Sequence, residues 1–184
     1  MKYMERKYWH PAYCGAAGWE FKQNRGDLEF IPEHQLSKEP LRIDLLIIRK
    51  RKNTEIVNEI GKIFRHHNLF EFKSPGDGLT IDDYYKVMGY ACQYKALGRH
   101  VNEIRAEEMT VTFIREGYPR ELFHTLENAG IMAEERYPGI YYLSGRTIFR
   151  TQIVVTEQLD PEKHAGIRIL SRNADEQEKR LGML

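Results

Sequence analysis

The sequence predicts an α/β domain built on a mixed sheet, and three observations predict it. Two short runs, Leu41 to Arg49 and Asn68 to Lys73, are apolar, rich in β-branched and aromatic residues and bounded by breakers, as buried strands are. In the first run Ile43, Leu45 and Ile47 fall on one face and Asp44, Leu46 and Ile48 on the other. Both faces are therefore apolar, the pattern of a strand covered on both sides. Helix-like and strand-like segments interleave along the rest of the chain, with no repeat, low-complexity tract or linker.

The 184 residues make one domain, with a core over about 12–115 and a C-terminal elaboration over 116–184. Hydrophobic residues at 41% and charged residues at 30% are ordinary for a globular chain. No run of about 18 apolar residues exists, so no membrane partner is expected. The first residues lack an apolar signal core, which points to a cytoplasmic location. Cys14 and Cys92 stand in no metal-ligand spacing and read as two free thiols. A net charge of +1 means that any surface for a polyanion would be a local patch.

In chain order, residues 12 to 25 read as a helix stopped by Gly26. Leu28 to Ile31 reads as a short strand ended by Pro32, and Leu41 to Arg49 follows as the first main strand. Arg49 to Asn53 is a solvated basic turn, and Ile56, Ile60, Ile63 and Phe64 favour a short helix from Thr54 to His66. On that reading His66 and His67 complement the helix end. Asn68 to Lys73 is the second main strand. Thr80 and Asp83 resemble a capping box with Asp for the usual Glu, opening a helix to Leu97 whose core face is Tyr85, Met88 and Cys92. Met109 to Ile114 is a strand, and Pro119 starts a helix through Asn128. Ile131 to Arg136 and Ile140 to Leu143 form a hairpin around Tyr137-Pro138-Gly139, and Thr147 to Thr156 is a further strand. Asp160-Pro161 opens a helix to about Leu170, and Ala174 to Leu184 is a frayed helix.

The chemistry-bearing feature is charge inside the two main strands. Asp44 sits in the first, and Glu71 and Lys73 in the second. Charged groups rarely enter buried strands unless paired or metal-bound. Alternation puts Leu69, Glu71 and Lys73 on one face and Phe70 and Phe72 on the other, with Glu71 and Lys73 about 6.6 Å apart along the strand. Asp44 and Glu71 make a carboxylate pair suited to Mg²⁺, a hard ion that prefers oxygen ligands, with the Phe72 carbonyl as a further ligand. A lysine beside such an ion can position a water and offset charge on an attacked phosphate.

These residues resemble the PD-(D/E)XK nuclease superfamily. Its pattern is an acid on one strand and Glu-x-Lys on the next, and Asp44, Glu71 and Lys73 match it. Glu20, on the preceding helix, matches the helix-borne acid of many members and is expected to orient the water. Asn58 to Arg65, Glu71 to Asp77 and Tyr84 to Ala91 look like a bacterial branch close to transposase-associated members, and Ile43 stands where the name-giving proline would be. The resemblance implies a restriction-endonuclease-like αβββαβ core, a mixed central sheet flanked by helices, and extra C-terminal strands and a helix. It also implies Mg²⁺-dependent phosphodiester hydrolysis, with Mn²⁺ as a substitute, by an endo- or exodeoxyribonuclease. The expected partner is nucleic acid, DNA in the first instance, with a homodimer left open.

Blander readings stand beside these. Glu-x-Lys occurs at Glu5/Lys7, Glu20/Lys22 and Glu71/Lys73, so only the strand context distinguishes the third. Asp44 can be a strand-end residue pairing with Arg42, and Glu71/Lys73 a structural ion pair. Lys86, Tyr90 and Gln93 share a helical stripe, which makes Lys86 and Gln93 candidates for substrate contact. A non-catalytic nucleic-acid or protein interaction module on the same fold is the alternative function.

Overall fold

The computed structural model describes residues 9–35, 42–51, 53–169 and 171. Its elements run α1 (Trp9–Glu20), β1 (Leu28–Gln35), β2 (Arg42–Arg49), β3 (His67–Phe72), α2 (Ile81–Lys95), β4 (Met109–Arg115), α3 (Arg120–Asn128), β5 (Ile131–Tyr137), β6 (Ile140–Gly145), β7 (Arg150–Val155) and α4 (Ala165–Arg168). The strands form a seven-stranded mixed sheet in the order β1-β2-β3-β4-β7-β6-β5. The β3–β4 and β4–β7 pairs are parallel, and the other pairs are antiparallel.

Both faces of the sheet are covered, as the doubly apolar runs predict. On one face Leu46, Leu69, Val111 and Phe113 pack with Tyr84, Val87, Met88 and Ala91 of α2 and Leu122 and Leu126 of α3. On the other, Leu45, Ile47, Phe70, Phe72 and Ile114 pack with Tyr13, Ala16 and Ala17 of α1 and with Ile60 and Phe64. The alternation of β2 breaks at one place. Ile43 joins Leu46 in the α2-side core, while Leu45 and Ile47 belong to the α1-side core. The break falls at Asp44, opposite Glu33 of β1, whose φ of 45° is left-handed. Strand β2 is therefore distorted at its one acidic residue.

Several elements differ from the sequence expectation for local reasons. Strand β1 runs on through Pro32 to Gln35, which an edge strand tolerates because the missing amide faces solvent. Helix α1 stops at Glu20 and gives way to a 3-10 turn at Lys22–Asn24, where the Asn24 side chain binds Glu55 O and Val57 N. Thr54 to His66 holds only a 3-10 segment, Glu59–Ile63, started by Asn58 accepting from Ile60 N. His67 is the first residue of β3, not a helix end, and its Nδ1 lies 2.8 Å from Tyr94 Oη. On α2 the core face is Tyr84, Val87, Met88, Ala91 and Tyr94, whereas Tyr85 and Cys92 are exposed. After Asp160 the chain makes a turn before the four-residue α4. The frayed helix expected over 174–184 lies outside the described residues. No helix among the described residues is long and apolar enough to cross a membrane.

The capping box at Thr80 forms as read. Asp83 N donates to Thr80 Oγ1, and the Asp83 carboxylate accepts from Thr80 N. The burial contrast is testable by denaturation. Phe70→Ala, at a ring 1% exposed between β3 and α1, costs about 3–5 kcal/mol. Tyr85→Ala, at a ring 57% exposed, stays within about 0.5 kcal/mol of the parent.

Candidate active site

The site forms where β2 and β3 part. Their ladder ends at Leu45 opposite Phe70, so Asp44 and Glu71 are the next residues at the fork. Successive amides of β3 point to opposite neighbours. Lys73 N donates to Ile114 O of β4 at 2.8 Å, and Phe72 N points toward β2. There it meets not a carbonyl but the Asp44 side chain, donating to Oδ2 at 2.8 Å. A carboxylate has taken a ladder acceptor's place, which fixes Asp44 beside Glu71 with a charge-assisted bond. From the α1 side, Tyr13 stacks on Phe72 at 4.4 Å and its hydroxyl donates to Lys73 O at 2.8 Å.

Glu71 is 7% exposed and projects toward α2, sharing the side of Leu69 as the alternation requires. Burial, reinforced by the Asp44 carboxylate, raises its pKa to about 7, against the pull of Lys86 and Lys73. Lys86 Nζ lies 3.5 Å from Glu71 Oε1. Lys73 does not pair with Glu71. Its ammonium donates to Asp83 Oδ1 at 2.6 Å, and Lys86 Nζ stands 3.8 Å from that same oxygen. Arg42, the bland partner for Asp44, instead pairs with Glu33 at 3.3 Å.

The structure thus brings together Asp44, Glu71, Lys73 and Lys86. Gln93 is exposed on α2, about 10 Å further along the helix axis than Lys86. Glu20 is placed elsewhere. Its Oε1 accepts from Asn58 Nδ2 at 2.6 Å and lies 2.5 Å from His164 Nδ1. His164 Nε2 is 3.1 Å from Glu59 Oε2, and Lys163 Nζ is 2.8 Å from Glu59 Oε1. This clasp ties α1, the 3-10 segment and the turn before α4 together, and lines a cleft of about 620 Å³ with Trp19. None of Asp44, Glu71, Lys73 or Lys86 lines that cleft.

Two participants were not read as site residues from the sequence. Asp83 was visible only as a helix cap, although its position ten residues after Lys73 at a helix start is a usable signal. His164 lies 144 residues from Glu20, and nothing local announces the contact.

No family model, curated protein or solved structure matches this chain.

Among the described residues no three His, Cys, Asp or Glu side chains converge as a metal site. The oxygen donors available at the fork are the two carboxylates, with backbone carbonyls and water to add. That set fits Mg²⁺, which is usually held by one or two carboxylates and keeps several waters.

Two pH dependences follow. In the presence of a chelator, the ¹³C carboxyl resonance of Glu71 titrates at about pH 7, and Asp44→Asn lowers that midpoint while burial keeps it above the usual carboxylate range. For His164, burial opposes the charge but Glu20 and Glu59 outweigh it, so its pKa is raised above the usual imidazole value. The imidazolium's contribution is therefore complete below the unfolded value and is lost as pH rises through the folded one. The melting temperature falls as pH rises above about 6.5, and His164→Gln flattens that fall. An identical slope in the variant contradicts the assignment.

Proposed function

We propose that this protein is a Mg²⁺-dependent phosphodiesterase acting on nucleic acid, DNA in the first instance, with Asp44, Glu71 and Lys73 as its centre. The observation that carries the reading is the Asp44 carboxylate seated on Phe72 N, next to a buried Glu71 whose charge it disfavours. An element order of helix, three strands, helix and strand, with β3 and β4 parallel, supports a restriction-endonuclease-like αβββαβ core and the PD-(D/E)XK resemblance.

On this reading Asp44 and Glu71 would hold the ion, with the Phe72 carbonyl as a further ligand. Mg²⁺, when bound there, would orient a water, make it more acidic and offset charge on the phosphate. Asp44 also holds the β3 backbone, so the two acids keep a fixed relation to each other. Lys73 and Lys86 bring two ammonium groups to the edge of the pair, where a phosphate oxygen gains negative charge in the transition state. Half exposed, Lys86 is the better placed of the two to meet a substrate from solvent. Glu20, bound up with Asn58 and His164, is assigned to the clasp and takes no step in the reaction.

One observation favours a second reading, a non-catalytic interaction module. Lys73 is held on Asp83 and not at the carboxylate pair, which is compatible with a structural charge network. Cleavage of single- and double-stranded DNA with Mg²⁺ or Mn²⁺ separates the two. Hydrolysis is expected from the parent and reduced roughly 10²- to 10⁴-fold by Asp44→Ala and by Lys73→Ala. Activity that survives both substitutions rejects the assignment. Mn²⁺ at about 100 times its dissociation constant stabilises the parent by about 2.7 kcal/mol, and Asp44→Asn removes that shift.

A further inference from the structure

At the end of the sheet away from the fork, three arginines from separate elements gather on the α1 side. Arg49 ends β2 and follows Leu45 and Ile47 on that face. Arg150 opens β7 on the same face as Gln152, whose amide donates to Ile60 O. Arg65 comes just before β3, with its backbone N and O both held by the Asn68 side chain. The ladder explains why they meet. Arg49 N donates to His66 O, and Arg150 pairs in register with Thr110, whose hydroxyl donates to Asn68. Only β4 separates β3 from β7, so the two strands lie about 10 Å apart.

This cluster is short of acid. Arg65 donates to a backbone carbonyl, Phe64 O, at 3.1 Å. Its charge is disfavoured first by burial and then by the Arg150 and Arg49 guanidinium groups, and the neighbour that favours it is the Tyr142 phenol on β6. Arg49 donates to Arg51 O and Thr54 O, so it adds field more than a donor. The acids that border this end are matched elsewhere. Asp27 stands 3.4 Å from Arg51, Glu55 2.7 Å from Lys62 and Glu134 2.8 Å from Arg136. Among the described residues neither Arg65 nor Arg150 forms an ion pair with a carboxylate. Like charges gathered in this way raise one another's energy, and an anion between them relieves it. A planar guanidinium fork matches the oxygens of a phosphate.

We propose that Arg65 and Arg150, backed by the charge of Arg49, form a nucleic-acid contact that grips backbone phosphates at the end of the sheet remote from the fork. The patch is open, since Arg150 is exposed and none of the three arginines lines the cleft beside Trp19. An open row of charge suits a strand that delivers several phosphates better than a single small anion. Such contacts position a nucleic acid and read no base, so the contact is independent of sequence. Arg49 lies five residues from Asp44 along β2, about 17 Å, and Glu71 is on the opposite face of the sheet. The proposal rests on the hydrolytic reading for the choice of nucleic acid alone and uses none of the residues at the fork.

Fluorescence anisotropy with labelled single- and double-stranded DNA tests it, in a chelator so that no metal takes part and over a range of salt concentrations. The slope of log affinity against log salt is expected to shrink by about one in Arg150→Gln and by about two when Arg65→Gln is added. At low salt that double variant is expected to bind roughly 100-fold more weakly than the parent. Arg65→Lys and Arg150→Lys keep the charge and are expected to keep the slope. In the parent itself, the Arg65 and Arg150 Nε–H resonances are expected to shift when the DNA is added. Binding by the parent with the same slope and affinity in the double Gln variant overturns the contact and leaves the fork untouched. A slope lost equally in the Lys and Gln variants overturns it too, because the loss then follows shape and not charge. Resonances that inorganic phosphate shifts and DNA does not overturn nucleic acid as the occupant. No DNA binding by the parent overturns this contact together with the choice of nucleic acid, while Mn²⁺ binding still judges the fork.

Discussion

One hydrogen bond, Phe72 N to Asp44 Oδ2 at 2.8 Å, determines how the rest of the site is arranged. Strands β2 and β3 stop pairing at Leu45 and Phe70, and a sheet that opens in its interior leaves an amide without an acceptor. Asp44 fills that vacancy with a carboxylate. The substitution does two things at once: it satisfies the backbone, and it brings a fixed negative charge to the neighbour of Glu71. The cost appears at Glu71, where burial and the second carboxylate together disfavour the charged form. A pair that is strained in charge and restrained in geometry is poor as a purely structural device, since burying like charges stabilises nothing.

The two faces of the sheet divide the polar chemistry between them. On the α2 side, Glu71, Lys73, Asp83 and Lys86 form a chain of alternating charge that reaches from the strand fork to the helix start. In the clasp, Glu20, His164, Glu59 and Lys163 form another that binds α1 to the C-terminal turn. The first leaves a half-exposed lysine at its edge, while the second is closed around an imidazole with no exposure. On the proposed function the first network carries the chemistry and the second serves cohesion, although a cleft lies beside the second.

Much of the fold was legible because the signals were local. The apolar runs located β2 and β3, and the Thr80–Asp83 pair located the start of α2. Alternation correctly put Glu71 with Leu69 and opposite Phe70 and Phe72. What failed needed tertiary information. The regular alternation assumed for β2 did not foresee the distortion at Asp44, which lies opposite the left-handed Glu33 of β1. The helix expected around Ile60 gave way because the Asn58 side chain starts a tighter turn, and Asn68 holds the entry to β3 through Arg65 N and O. Ile56, Ile60, Ile63 and Phe64 are all buried nonetheless, so the periodicity located the core face while misjudging the backbone. Glu20 was legible as an acid on a helix; its engagement by His164 was not.

The central claim is that the fork between β2 and β3 is a divalent-cation site. Anomalous scattering from crystals soaked in Mn²⁺ tests it most directly. The account predicts one strong peak within about 2.3 Å of carboxylate oxygens from both Asp44 and Glu71, with Lys73 still on Asp83. A peak at the Glu20–His164–Glu59 clasp, or none at the fork at saturating Mn²⁺, contradicts it.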